Sequence, residues 1–77
     1  MPDDPRIVTL ALLDARAAGA TVCPSEVARA LGGAEWRAAM PAVHSAVDAM
    51  AAAGEVRLSW KGAPMAARAG PYRIGRG

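Results

Sequence analysis

Apolar and polar residues alternate with a helical period in the first two thirds of the chain and with a period of two near its end. From Pro5 to about Ala18 the apolar side chains cover a broad helical arc. Ile7, Leu10 and Ala11 share one face with Asp14, while Val8, Leu12 and Ala15 lie on another. Asp4 before Pro5 supplies a capping carboxylate and a proline whose missing N–H is not needed at the first helical position. Gly19 is placed to end this helix. Thr21-Val22-Cys23 is β-branched and precedes Pro24, which favours extended backbone and predicts an edge added to a later sheet. Ser25 is expected to cap a second helix, with Glu26 in its first turn, Val27, Ala30 and Leu31 facing inward, and Gly32-Gly33 as the turn that stops it.

Trp36, Ala39 and Met40 are helically spaced, but Pro41 breaks a helix that runs through it, so the pattern predicts one helical turn and then a new helix from Pro41 to Ala53. Val43, Val47 and Met50, with Ala46, form its inward stripe, and Ala42, His44, Ser45, Asp48 and Ala52 face solvent. Gly54 closes it. Glu55 to Trp60 alternates strictly, placing Val56, Leu58 and Trp60 on one face and Glu55, Arg57 and Ser59 on the other. Lys61 to Gly70 reads as a loop, Pro71 to Ile74 as a returning antiparallel strand, and Gly75-Arg76-Gly77 as a frayed end.

This order of elements predicts a single α+β domain over residues 1–77, a winged helix in which a three-helix helix-turn-helix core carries a C-terminal β-hairpin wing. The predicted core is Ile7, Leu10, Leu12, Val22, Val27, Leu31, Trp36, Val43, Val47, Met50, Val56, Leu58, Tyr72 and Ile74.

Composition sharpens this picture in three ways. A chain of 77 residues buries only about 60% of its unfolded surface, and twenty alanines with no phenylalanine make a core of short side chains, so association with a partner or a second copy would add stability. A single cysteine forms no internal disulfide, which leaves the cytoplasm as the expected compartment. The start Met1-Pro2-Asp3-Asp4-Pro5 is acidic, and the apolar run from Ile7 to Leu13 is too short to span a bilayer, so neither export signal nor membrane anchor is expected.

A net charge of +2, carried by eight arginines and one lysine against seven carboxylates, permits an anionic partner without requiring one. Two functions of different class follow. In the first, the helix from Pro41 approaches a groove of double-stranded DNA while the wing touches phosphate, through Arg37, His44, Ser45, Arg57, Lys61, Arg68 and Arg73, with Arg76 beside them. The chain has no Asn or Gln to read adenine, so such binding would be largely nonspecific in sequence. Arg57 and Arg73 are expected on one sheet face, where two like charges call for an acidic neighbour or an anionic ligand. In the second, the protein is an interaction or homodimerisation module that uses the alanine-rich helix face or the hairpin edge.

Other chemistry is poorly supplied. His44 and Asp48 stand four residues apart, yet no motif joins them to Cys23 or Ser25 as a nucleophile, so no enzyme is expected. One Cys and one His make no zinc set, Gly32-Gly33 lacks the lysine of a phosphate loop, and no cofactor is expected. Cys23 reads as a small inert hydrophobe, and Trp36 and Trp60 as packing anchors.

The stretch Cys23-Pro24-Ser25-Glu26-Val27-Ala28-Arg29, with Trp36-Arg37, Met40-Pro41 and Gly70-Pro71-Tyr72-Arg73, resembles a bacterial family of short winged-helix proteins, domain of unknown function 3253, over nearly the whole chain. The resemblance implies the winged-helix fold. It implies no substrate and no site.

Overall fold

In the computed structural model, which describes residues 4–77, three α-helices precede a three-stranded antiparallel sheet. Met1, Pro2 and Asp3, read above as part of an acidic start, lie outside the described residues. The elements are α1 (Pro5–Asp14), α2 (Pro24–Gly32), a single 3₁₀ turn (Gly33–Glu35), α3 (Trp36–Ala52), β1 (Val56–Trp60), β2 (Ala63–Met65) and β3 (Arg73–Arg76). Among the described residues, no helix is long and apolar enough to cross a membrane.

Asp4 caps α1 as expected, its carboxylate accepting from the Arg6 amide at 2.9 Å with Pro5 at the first helical position. The helix stops at Asp14 rather than Ala18. Alanine favours helix, but that preference is weak beside tertiary pairing. Here the chain must return so that Val22 can exchange both backbone hydrogen bonds with Ile74, each 2.8 Å long. The inward face of α1 also differs from the expected one. Thr9 and Leu13 are its buried residues, and Ile7, expected in the core, is 61% exposed. Thr9 tolerates full burial because its hydroxyl donates to the Pro5 carbonyl four residues back, at 2.7 Å, which leaves only its methyl to pack.

Cys23, not Ser25, is the N-cap residue of α2, with Pro24 at the first helical position. Proline fixes the helical φ two residues earlier than a Ser25 cap would. Glu26 then reaches back, its carboxylate accepting from the Cys23 amide at 2.7 Å. Pro41 lies inside α3, which runs unbroken for 17 residues. Its missing amide deprives the Arg37 carbonyl of a helical partner, and both residues are exposed, so water can take the vacant position. The expected helix start at Pro41 is therefore displaced to Trp36. Gly54, at φ +77°, turns the chain beyond α3 as predicted.

The region read as one loop from Lys61 to Gly70 contains β2. A two-residue turn at Lys61-Gly62 pairs β2 with β1, Trp60 opposite Ala63, and the sheet order is β2-β1-β3. Both turn residues have positive φ, 51° and 82°, the signature of a tight hairpin whose twist matches its strands. The last strand starts at Arg73 rather than Pro71 and takes in Gly75 and Arg76, which are paired and not frayed. Val56, Leu58 and Ile74 point inward and join Val22, Val43, Val47 and Met50 in the core. The other face of the sheet, away from α3, carries Arg57, Ser59, Arg73 and Gly75. Trp60, expected on the packed face, is 40% exposed because it stands at the end of the sheet, beyond the core. Leu10, Leu12, Leu31 and Trp36 are only partly buried at the core margin.

Candidate nucleic-acid interface

The distribution of charge along the chain separates its two parts. All seven carboxylates lie at or before Glu55, while five of the nine cations lie after it. The sheet and its loops are thus a cationic body resting on helices that hold the acids. Long-range pairing follows from that division. Arg68 makes a two-pronged contact with Asp48 on α3, at 2.7 and 2.9 Å. Arg76 reaches Asp14 at 2.9 Å and the Leu13 carbonyl at 3.3 Å; within the acid-bearing part itself, Arg6 pairs with Glu55.

Each predicted contact residue has a definite place. His44 is half-buried, and its Nδ1 lies 2.7 Å from the Tyr72 hydroxyl. Burial pushes the Tyr72 phenol up to about 12 and lowers His44 below its ordinary value, with the Arg68 charge adding to the second shift and Asp48 opposing it. The phenol and the imidazole share this one hydrogen bond, and the ring's tautomer sets which of them donates. His44 and Arg68, both expected to meet DNA, instead fasten the segment before β3 to α3. Ser45 is exposed on α3 among Ala42, Ala49 and Ala52. Arg37 is exposed at the second position of α3, its guanidinium 4.4 Å from the centre of the Trp36 ring.

Arg57 and Arg73 share the outer face of the sheet, as expected: Ser59 faces Arg73 and Gly75 faces Arg57 across the ladder. Arg73 leans over the edge, its Nε and Nη2 donating to the Thr21 hydroxyl and carbonyl at 2.9 and 3.0 Å, with Nη1 against the Cys23 sulfur. Arg16 also donates to the Thr21 carbonyl, at 3.3 Å, so two guanidinium groups meet at one oxygen. Glu26, bound by Arg16 at 2.9 and 3.2 Å, balances them, and those bonds together with the Cys23 amide hold its carboxyl below the usual range. Lys61 is exposed at the tip of the β1–β2 hairpin. Among the described residues Arg57, Lys61 and Arg73 of the sheet form no ion pair with a carboxylate.

Arg37 and Arg68 belong to the α3 side and do not join that group. Sequence reasoning missed Arg29, whose guanidinium lies 4.7 Å from the Trp36 ring, and Asp48 as the partner of Arg68. The absence of any acid from Val56 onward was the signal available for the sheet.

A family model, described as a protein of unknown function (DUF3253), matches residues 5–77. The chain belongs to the DUF3253 family. No curated protein matches it. The DUF3253 match spans both the acid-bearing helices and the cationic sheet, so the division of charge lies within a single family unit.

Proposed function

We propose that the protein is a winged-helix module that binds nucleic acid through phosphate contacts with little sequence preference, and that the sheet, rather than the middle of α3, makes those contacts. The observation that carries this reading is the outer face and tip of the sheet, where Arg57, Lys61 and Arg73 stand without a carboxylate partner among the described residues. Helix, helix and hairpin follow in the order of a helix-turn-helix with a wing, the β1–β2 hairpin being the wing and α3 the helix that would face a groove. The outward residues of α3 are mainly alanine, with His44 and Asp48 engaged elsewhere, which favours backbone contacts over base reading.

Fluorescence anisotropy of labelled DNA against salt tests this reading. Binding should weaken steeply with ionic strength, and the double substitution Arg57→Ala with Lys61→Ala should lower both the affinity and the salt slope, the latter by about 0.7 to 0.9 per lost phosphate contact. No binding at low salt, or binding indifferent to salt and to both substitutions, would overturn it. A homodimer packed through Ala42, Ala49 and Ala52 is the second reading, supported by the bare outward stripe of α3. Sedimentation would then report a dimer that high salt leaves intact.

A further inference from the structure

We propose that the tip of the β1–β2 hairpin is a base-stacking site and that the ligand is single-stranded nucleic acid. The inference rests on the nucleic-acid reading above and names its substrate class.

Trp60 is one of two large hydrophobic residues the described surface leaves exposed, and it stands at the end of β1 rather than over the core. Its cross-strand neighbour on β2 is Ala63, followed by exposed Pro64, so no bulky β2 side chain covers the indole. Lys61 follows at once and is the only non-glycine residue with positive φ among the described residues. Asparagine, aspartate or glycine ordinarily occupies that turn position. A lysine there sets a cation at the apex, one residue from the exposed ring. Strained backbone of this kind marks positions where the side chain has a use.

The pairing of an exposed indole with nearby cations is what single strands require. A base stacks on the ring whatever its identity, and the adjoining phosphates need positive charge within a few ångströms. Lys61 supplies that charge at the tip, while Arg57 and Arg73 stand on the opposite face of the sheet from the ring. A duplex matches the cations with its phosphates but offers the ring no partner. Its bases are already stacked, and the outward middle of α3, mainly alanine with Ser45 and the arginine-paired Asp48, is poorly supplied for reading them through the groove. Charge complementarity therefore selects a polyanion, and the ring selects one with unpaired bases.

The experiment compares an oligothymidylate with a duplex of equal length, by anisotropy at low salt, for the parent protein, Trp60→Phe and Trp60→Ala. The parent should prefer the single strand. Trp60→Ala should lose about tenfold or more of that affinity while its duplex binding changes less than about twofold, and Trp60→Phe should keep most of it. In a Trp36→Phe background, where Trp60 is the sole indole, the oligothymidylate should quench the emission, a readout that does not depend on Trp60→Ala remaining folded. Duplex bound as tightly as single strand, with unquenched Trp60 emission, would overturn the stacking site and leave the phosphate reading standing. Failure to bind either nucleic acid would overturn both.

Discussion

The outward face of α3 and the outer face of the sheet differ less in how many cations approach them than in where the nearest carboxylate lies. Along the middle of α3 Arg68 is answered by Asp48 and His44 is occupied by Tyr72, and only Arg37, at the start of the helix against Trp36, forms no ion pair among the described residues. On the sheet, Arg57 and Lys61 have no acid within their own segment, whereas Arg73 is held by a hydroxyl, a carbonyl and a thiol beside the Glu26 carboxylate, which offsets part of its charge. An arginine counts toward an anion-binding surface only when its own protein leaves it un-neutralised. Net charge alone conceals this, because the acids that balance the chain sit in its helical part.

The strongest way to break the comparison is to detach the two surfaces from each other. Tyr72 is 4% exposed and joins the segment before β3 to α3, so Tyr72→Ala should cost about 3–5 kcal/mol, enough to unfold most of so small a domain, as a thermal melt would record. Next, Arg57→Ala with Lys61→Ala should reduce nucleic-acid affinity roughly tenfold at low salt while leaving the melt nearly unchanged. Arg68→Ala should be almost silent in the same titration. The converse substitution sharpens the point: Asp48→Asn releases Arg68 and should raise affinity about twofold to threefold, whereas a surface in which pairing did not matter would show no gain.

Lys61 separates binding from stability. Lys61→Asn suits the left-handed turn, so it should raise stability by about 1 kcal/mol while weakening binding. A variant that loses both would refute the strain at this position.

The smallest effect expected is on pH dependence. Because the folded protein holds His44 below its ordinary value near 6.5, the unfolded chain takes up that proton more readily. Stability should therefore decline as pH falls below about 6.5 and level off once the folded form is protonated as well. His44→Gln should flatten that window. A separate loss at lower pH should remain, since Glu26, Asp48 and Glu55 are all held below their ordinary range by arginine partners and lose that advantage when protonated.

Local chemistry made much of the α+β arrangement legible. The Asp4-Pro5 start, the alternation from Val56 to Leu58 and the turn at Gly54 each act within a few residues, and each stands where the pattern placed it. What escaped was decided at a distance or by a compensation invisible in a pattern. Thr9 looks polar until its hydroxyl finds the Pro5 carbonyl, and Pro41 looks like a breaker until the orphaned carbonyl proves to be on the wet side of α3. Ala63-Pro64-Met65 has too short a pattern to announce a strand, and only the turn at Lys61-Gly62 brings it against β1. The candidate contacts divided in the same way. That Arg57 and Arg73 share a face follows from a period of two, whereas the capture of Arg68 by a carboxylate 20 residues earlier depends on how the sheet settles on α3.

Gly75 has a bearing on how Arg73 is held. It sits opposite Arg57, and a Cβ built there would come 3.4 Å from the Thr21 methyl group. With only hydrogen in that place, the Thr21 methyl comes close over the strand on the face that also carries Arg57. Any larger residue there would press on Thr21, whose hydroxyl and carbonyl hold the Arg73 guanidinium, and would loosen that arginine from the sheet edge.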